Sequence, residues 1–184
     1  MFPGHPEYLQ HFDYVGFHRY SLTFCTIRRQ PLFVTQPVVD LVLEQFLRTT
    51  REERFALFAY CFMPDHVHLL VGGTCETSNA KRFVNRTKQY SGFYFKQQHQ
   101  HRLWQRYPFE RVLRSNEATL IVARYIIENP VRAGLVRDPR EYPFLGSCVY
   151  SLEEILNAVQ DEAAPDFDLA VRLKPDAPTD VRSG

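Results

Sequence analysis

Two apolar, β-rich runs stand three residues apart, and that spacing constrains the fold more than any other feature of the chain. Phe55-Ala56-Leu57-Phe58-Ala59-Tyr60-Cys61-Phe62 reads as one strand, and His66-Val67-His68-Leu69-Leu70-Val71 as the next. Met63-Pro64-Asp65 interrupts them, and Gly72-Gly73 closes the second. Proline donates no ladder hydrogen bond, so Pro64 marks the break. A parallel connection needs a dozen or more residues, so strands this close pair as an antiparallel hairpin. Side chains alternate across a strand, which puts His66 and His68 on one face and Val67 and Leu69 on the other. Two imidazoles spaced about 7 Å along one face can converge on a divalent ion. Taken alone, the same His-x-His describes two histidines hydrogen-bonded within a sheet.

The remaining elements follow in order. Tyr20 to Ile27 alternates and is predicted as the first strand, ended by Arg28-Arg29-Gln30-Pro31. Pro37 opens a helix through Leu47, and Glu52 to Arg54 reads as a charged turn. Asn79 to His99 is the longest helical stretch, with Gly92 its one weak position. The chain from Leu103 to Arg114 reads as extended, interrupted by Pro108. Asn116 is suited to cap a helix over Glu117 to Ile127, which Asn129-Pro130 ends. The order β-α-β-β-α-β-α predicts an α+β fold, a ferredoxin-like antiparallel sheet with helices on one face and the histidine strand central.

At 184 residues the expectation is a single domain over 1–150 and an acidic, partly disordered tail over 151–184. No apolar run is long enough to span a membrane and no secretory leader is evident. Cys25, Cys61, Cys75 and Cys148 form no Cys-x-x-Cys pair, so reduced thiols and a cytoplasmic protein are expected. The net charge of +1 conceals a segregation: residues 1–140 carry 19 Lys and Arg against 12 Asp and Glu, and residues 141–184 carry 3 against 9. The stretch 81–114 holds nine basic residues and one acidic. Arg82, Arg86, Lys88 and Arg114 are therefore candidate phosphate contacts, with Tyr90 and Trp104 as candidate base-stacking groups; Trp104 suits a core at least as well.

A second cluster of chemistry lies on the helix before Asn129-Pro130. Tyr125 and Asn129 are four residues apart and share one helical face. A phenol can act as a nucleophile where its surroundings ease loss of its proton, and a carboxamide oxygen can ligate a metal. The same two residues also suit a core-edge tyrosine and a helix C-cap.

Three stretches in order, Met-Pro-Asp-His-Val-His-Leu-Leu-Val, then Leu-Trp-Gln with Glu-Arg-Val-Leu-Arg, then Tyr-Ile-Ile-Glu-Asn-Pro-Val-Arg-Ala-Gly-Leu-Val, closely resemble the REP-associated tyrosine transposases. These are single-tyrosine HUH nucleases, related to a group of insertion-sequence transposases, and the resemblance runs from about Tyr14 to Tyr150. It implies His66 and His68 as the HUH pair, Tyr125 as nucleophile and Asn129 as third ligand to Mg²⁺ or Mn²⁺. It implies a single-stranded DNA endonuclease and strand transferase, nucleoid-associated, acting at hairpin-forming repeats through a 5′-phosphotyrosine. A monomer and a homodimer both fit. Three other readings stay open on the residues alone: a DNA-binding domain without cleavage, a metal-dependent hydrolase built on the two histidines, and a non-enzymatic interaction protein.

Overall fold

The computed structural model describes residues 12–106, 109–113 and 119–158. The central sheet is antiparallel, in the order β4-β1-β3-β2-β5. Its strands are β1 (Arg19–Cys25), β2 (Phe55–Met63), β3 (His66–Gly73), β4 (Phe109–Val112) and the two-residue β5 (Leu145–Gly146). The hairpin forms as its spacing demands, with Met63 opposite His66. Helix α1 (Gln36–Glu53) joins β1 to β2, and β3 lies between those two strands.

The helix signals act where they stand in sequence. Pro37 sits in the first turn of α1. The helix runs through the expected charged turn to Glu53, and Arg54, in the left-handed region (φ 57°), caps it by donating its N–H to the Thr50 carbonyl. The Asn79 side chain accepts from the Arg82 N–H at the start of α2 (Ala80–His99). Of the extended stretch expected over 103–114, Phe109–Val112 is strand, and Trp104 makes one bridge to Thr26. The proposed cap at Asn116 and Glu117 lies outside the described residues.

Helices were expected on one face, and α1 and α2 do lie there. Helix α3 (Thr119–Ile127) and the short α5 (Leu152–Leu156) cover the opposite face. Alternation along β3 shows the division: Val67, Leu69 and Val71 join Phe24, Phe46, Phe83 and Phe95 in one core, while Leu70 joins Val122, Ile126, Ile127 and Ile155 in another. A helix's apolar stripe says that it must be covered, not which side of a sheet will cover it. Ile155 is fully buried, so the chain just beyond 150 belongs to the fold.

Strand β2 feeds both cores by means of a bulge. Leu57 pairs with Val71 and Ala59 with Leu70, leaving Phe58 as the extra residue. Phe55 and Leu57 therefore face the first core, while Ala59, Cys61 and Met63 face the second. Close by, a Cβ on Gly73 would lie 2.0 Å from the Gly16 carbonyl oxygen, so only glycine lets those two backbones approach.

Candidate active site

Two histidines and their supporting groups stand on the second face of the sheet, the face packed against α3, the helix that carries Tyr125. His66 and His68 project from the start of β3, on the same side as Leu70. Their Nε2 atoms face each other at 3.0 Å. Each ring is held from behind. His66 Nδ1 is 2.6 Å from Asp65 Oδ1, and His68 Nδ1 is 3.0 Å from Thr23 Oγ1 on the neighbouring β1. Asp65 is in turn braced by Arg29 Nε, 2.8 Å from Oδ2. Arg28 and Arg29 both adopt positive φ (52° and 55°), a conformation costly for residues with a Cβ, in the turn that brings Arg29 to Asp65.

These surroundings decide charge. Burial, helped by the charges of His66 and Arg132, pushes the His68 imidazole down to about 3, so it is neutral at pH 7 and carries a lone pair. Burial works to raise the Asp65 carboxyl, but its hydrogen bond to His66, with the charges of His66 and Arg29, holds it below its usual range. An ionised carboxylate behind Nδ1 fixes that proton and leaves Nε2 of His66 as the outward donor atom.

Adjacent nitrogens of an octahedral site with bonds of about 2.1 Å lie about 3 Å apart, so the Nε2 pair fits one edge of such a site without rearrangement. Among the described residues no group of three or more His, Cys, Asp and Glu side chains surrounds the pair.

Tyr125 is half-buried on α3, the helix packed across β2 and β3. Asn129 starts the next turn, α4 (Asn129–Arg132), and donates Nδ2 to the carbonyls of Ile126 (3.0 Å) and Tyr125 (3.3 Å), which leaves Oδ1 available as an acceptor or ligand. Arg132 connects the two halves of the site. Its guanidinium lies 3.8 Å from the Tyr125 ring centroid, donates to the Tyr125 carbonyl, and is close enough to His68 to depress its protonation.

The four cations chosen from sequence separate. Arg82 and Arg86 both engage Glu53, a carboxylate 1% exposed, and so fasten α2 to α1. Lys88 points elsewhere and donates to the carbonyls of Gln105 (2.6 Å) and Arg106 (2.9 Å). Arg114 lies outside the described residues. Tyr90 donates to Glu52, and Trp104 is a core residue with its Nε1 on Ser91. Thr23, Arg29, Asp65 and Arg132 were not expected at the site from sequence. Alternation opposite His68 could have found Thr23, and helical spacing from Tyr125 could have found Arg132.

The family model described as "Transposase IS200 like" matches residues 15–129, a span that includes His66, His68, Tyr125 and Asn129. The chain belongs to the IS200-like transposase family. Among solved structures, the fold is similar to a REP-associated tyrosine transposase bound to a REP hairpin, with a TM-score of 0.63 and 21% identity over 76% of this chain and 81% of that one. A putative transposase from Deinococcus radiodurans R1 matches at a TM-score of 0.47 and 22% identity, over 67% and 89%. No curated protein matches the chain. Among the described residues of this transposase, no helix is long and apolar enough to cross a membrane.

Proposed function

We propose that this transposase cuts and rejoins single-stranded DNA beside a hairpin through a covalent bond to Tyr125. The Tyr125 oxygen attacks the scissile phosphorus, the bond to the 3′ oxygen breaks, and that oxygen leaves as a 3′-hydroxyl after taking up the proton that the phenol has lost. The 5′ end stays on the protein as an aryl phosphate ester, whose phenolate is a good leaving group. A 3′-hydroxyl can therefore reverse the attack and rejoin strands without ATP. The observation carrying this reading is the braced imidazole pair at 3.0 Å on the sheet face that α3 covers.

His66, His68 and Asn129 would hold Mg²⁺ or Mn²⁺. The ion would supply Lewis-acid polarisation of a phosphate oxygen. The protein's own groups do the rest. Asp65 and Thr23 fix the imidazole tautomers, and Arg132 places positive charge beside the phenol. Lys88 and Arg114, with Arg82 and Arg86 where their ion pairs leave them room, would meet phosphates.

The test is a labelled single strand carrying the hairpins that flank the gene, incubated with Mg²⁺ or Mn²⁺ and run on a denaturing gel. The wild type is expected to give an SDS-resistant adduct bearing the strand 3′ to the cut. Tyr125→Phe should give none while binding the strand with unchanged affinity. An adduct in the phenylalanine variant would move the nucleophile to another residue. Multiple turnover to free ends without an adduct would favour a hydrolase.

A further inference from the structure

Helix α2 divides its cations between two sides. On one, Arg82 and Arg86 are neutralised by the acids of α1. On the other, a groove of about 710 Å³ runs between α2 and the segment 102–106, and its lining includes Lys88, Lys96, Arg102 and Arg106 but no carboxylate. Lys96 and Arg102 make no ion pair among the described residues. Lys88, Gly92 and Lys96 recur every four residues and so form one row along the wall. Phe93, beside that row, is 56% exposed although it is a large apolar ring. The floor is Trp104, 8% exposed, its indole fixed by the 2.9 Å hydrogen bond to Ser91. Gly92 keeps the floor open, since a Cβ there would come 3.5 Å from Trp104 Cδ1.

The groove also lies close to the imidazoles. Gln105 donates its N–H to the Cys25 carbonyl at 3.0 Å, and Cys25 stands opposite His66 in the ladder. The end of β1 thus lies between groove and histidines, which stand on opposite faces of the sheet.

We propose that this groove binds an unpaired, single-stranded stretch of the transposase's DNA substrate, with phosphates on Lys96, Arg102, Lys88 and Arg106 and one base stacked on Phe93. The inference rests on the single-stranded DNA reading above and adds where the strand runs. A duplex hides its base faces and has no use for an exposed ring. A single strand offers a π-face with every base, and phosphates that flex to meet a row of cations.

Trp104 is the chain's one tryptophan, so its emission reports on the groove. The experiment titrates full-length Tyr125→Phe protein, which cannot trap DNA covalently, with fluorescein-labelled oligothymidylate. Anisotropy and tryptophan emission are read together. Binding should change Trp104 emission. In that background Lys96→Glu with Arg102→Glu should weaken binding at least tenfold and lower the slope of log K against log salt by about 1.4, the value for two single-strand contacts. Phe93→Ala removes no charge and should weaken it about 5- to 100-fold. Gly92→Leu, which favours the helix and fills the floor, should weaken it too. Unchanged affinity in all three variants overturns the groove, as does a duplex of equal length competing as well as the single strand. The two readings fail separately. An adduct from the wild type with groove variants of normal affinity leaves the nuclease standing and removes the groove. Weakened groove variants with no adduct from any hairpin strand do the reverse.

Discussion

The two faces of the sheet are built from the same strands and differ in almost everything else. The face under α1 and α2 is aromatic: Phe24, Phe33, Phe46, Phe62, Phe83 and Phe95 are each about 1% exposed or less, and rings meet at 5.0 to 6.2 Å across Phe24, Phe33, Phe46, Phe62 and Trp104. The face under α3 and α5 is aliphatic and smaller, centred on Leu70, Val122, Ile126, Ile127 and Ile155. At nine residues α3 is about 14 Å long. It packs on β2 and β3, and His66 and His68, at the start of β3, are only partly buried. Stability is concentrated where cover is complete, and chemistry lies where the cover ends.

The harshest way to break that division is to shift one strand's phase. Strand β3 has no spare residue, so deleting Leu69 sends either the histidines or Leu70 and Val71 to the wrong face, and no folded protein is expected. Deleting Phe58 should be survivable. The bulge disappears, Ala59 still pairs with Leu70, and the loss is one half-buried ring stacked on Tyr150, about 1–3 kcal/mol. Circular dichroism and urea titration of the two deletions make the comparison. Equal damage from both would mean that alternation is not what sorts the faces.

Next in size is a pair of truncations, one on each face. Phe46→Ala removes a ring packed on Phe24, Phe62 and Trp104 and should cost about 3–5 kcal/mol in urea denaturation. His66→Ala should cost about 1 kcal/mol, because it removes the partly exposed hydrogen bond to Asp65 and the contact with His68 but leaves Asp65 on Arg29, yet it should abolish the DNA adduct. A His66 variant as unstable as the Phe46 variant would return the histidines to a structural role.

A gentler test stays on the open face. Asp65→Asn keeps the shape of the side chain but removes the carboxylate behind His66. Partners of this kind typically contribute 10- to 100-fold in metal affinity. Mn²⁺ binding followed by electron paramagnetic resonance should weaken by that factor, with the urea midpoint little changed. Undiminished binding would mean that Asp65 serves the turn with Arg29 rather than the imidazole.

Much of the closed face and half of the open one could be read in the sequence, and the reason is local. The hairpin follows from three residues between two apolar runs, the α2 start from Asn79, and the pairing of His66 with His68 from a period of two. What escaped depends on contacts between distant segments. Nothing in Val122, Ala123, Ile126 and Ile127 specifies which side of the sheet α3 will cover. The irregular pattern of β2 conceals a bulge, because Phe58 is as apolar as its neighbours. Arg28 and Arg29 look like solvated charges ending a strand, and only the left-handed turn takes Arg29 to Asp65. Arg82 and Arg86 look like a basic surface until Glu52 and Glu53 arrive from α1.

The smallest effect sits on the closed face, where one cation leaves the row that α1 neutralises. Burial holds the Lys88 ammonium down to about 8 from its ordinary 10.5, and the nearby Cys25 only partly offsets this. Between those values the unfolded chain carries a proton that the folded one lacks, so stability rises with pH across the window and the penalty is fully present below about 8. The same proton governs the groove. A charge lost between pH 7 and pH 9 removes one phosphate contact, worth about fourfold in single-strand affinity at physiological salt. Lys88→Arg keeps its charge throughout, so its affinity should stay level over that range while the wild type falls. Parallel anisotropy titrations at pH 7 and pH 9 decide the point. If both proteins weaken alike, a different group sets the pH dependence, and Lys88 serves the carbonyls of Gln105 and Arg106 without touching DNA.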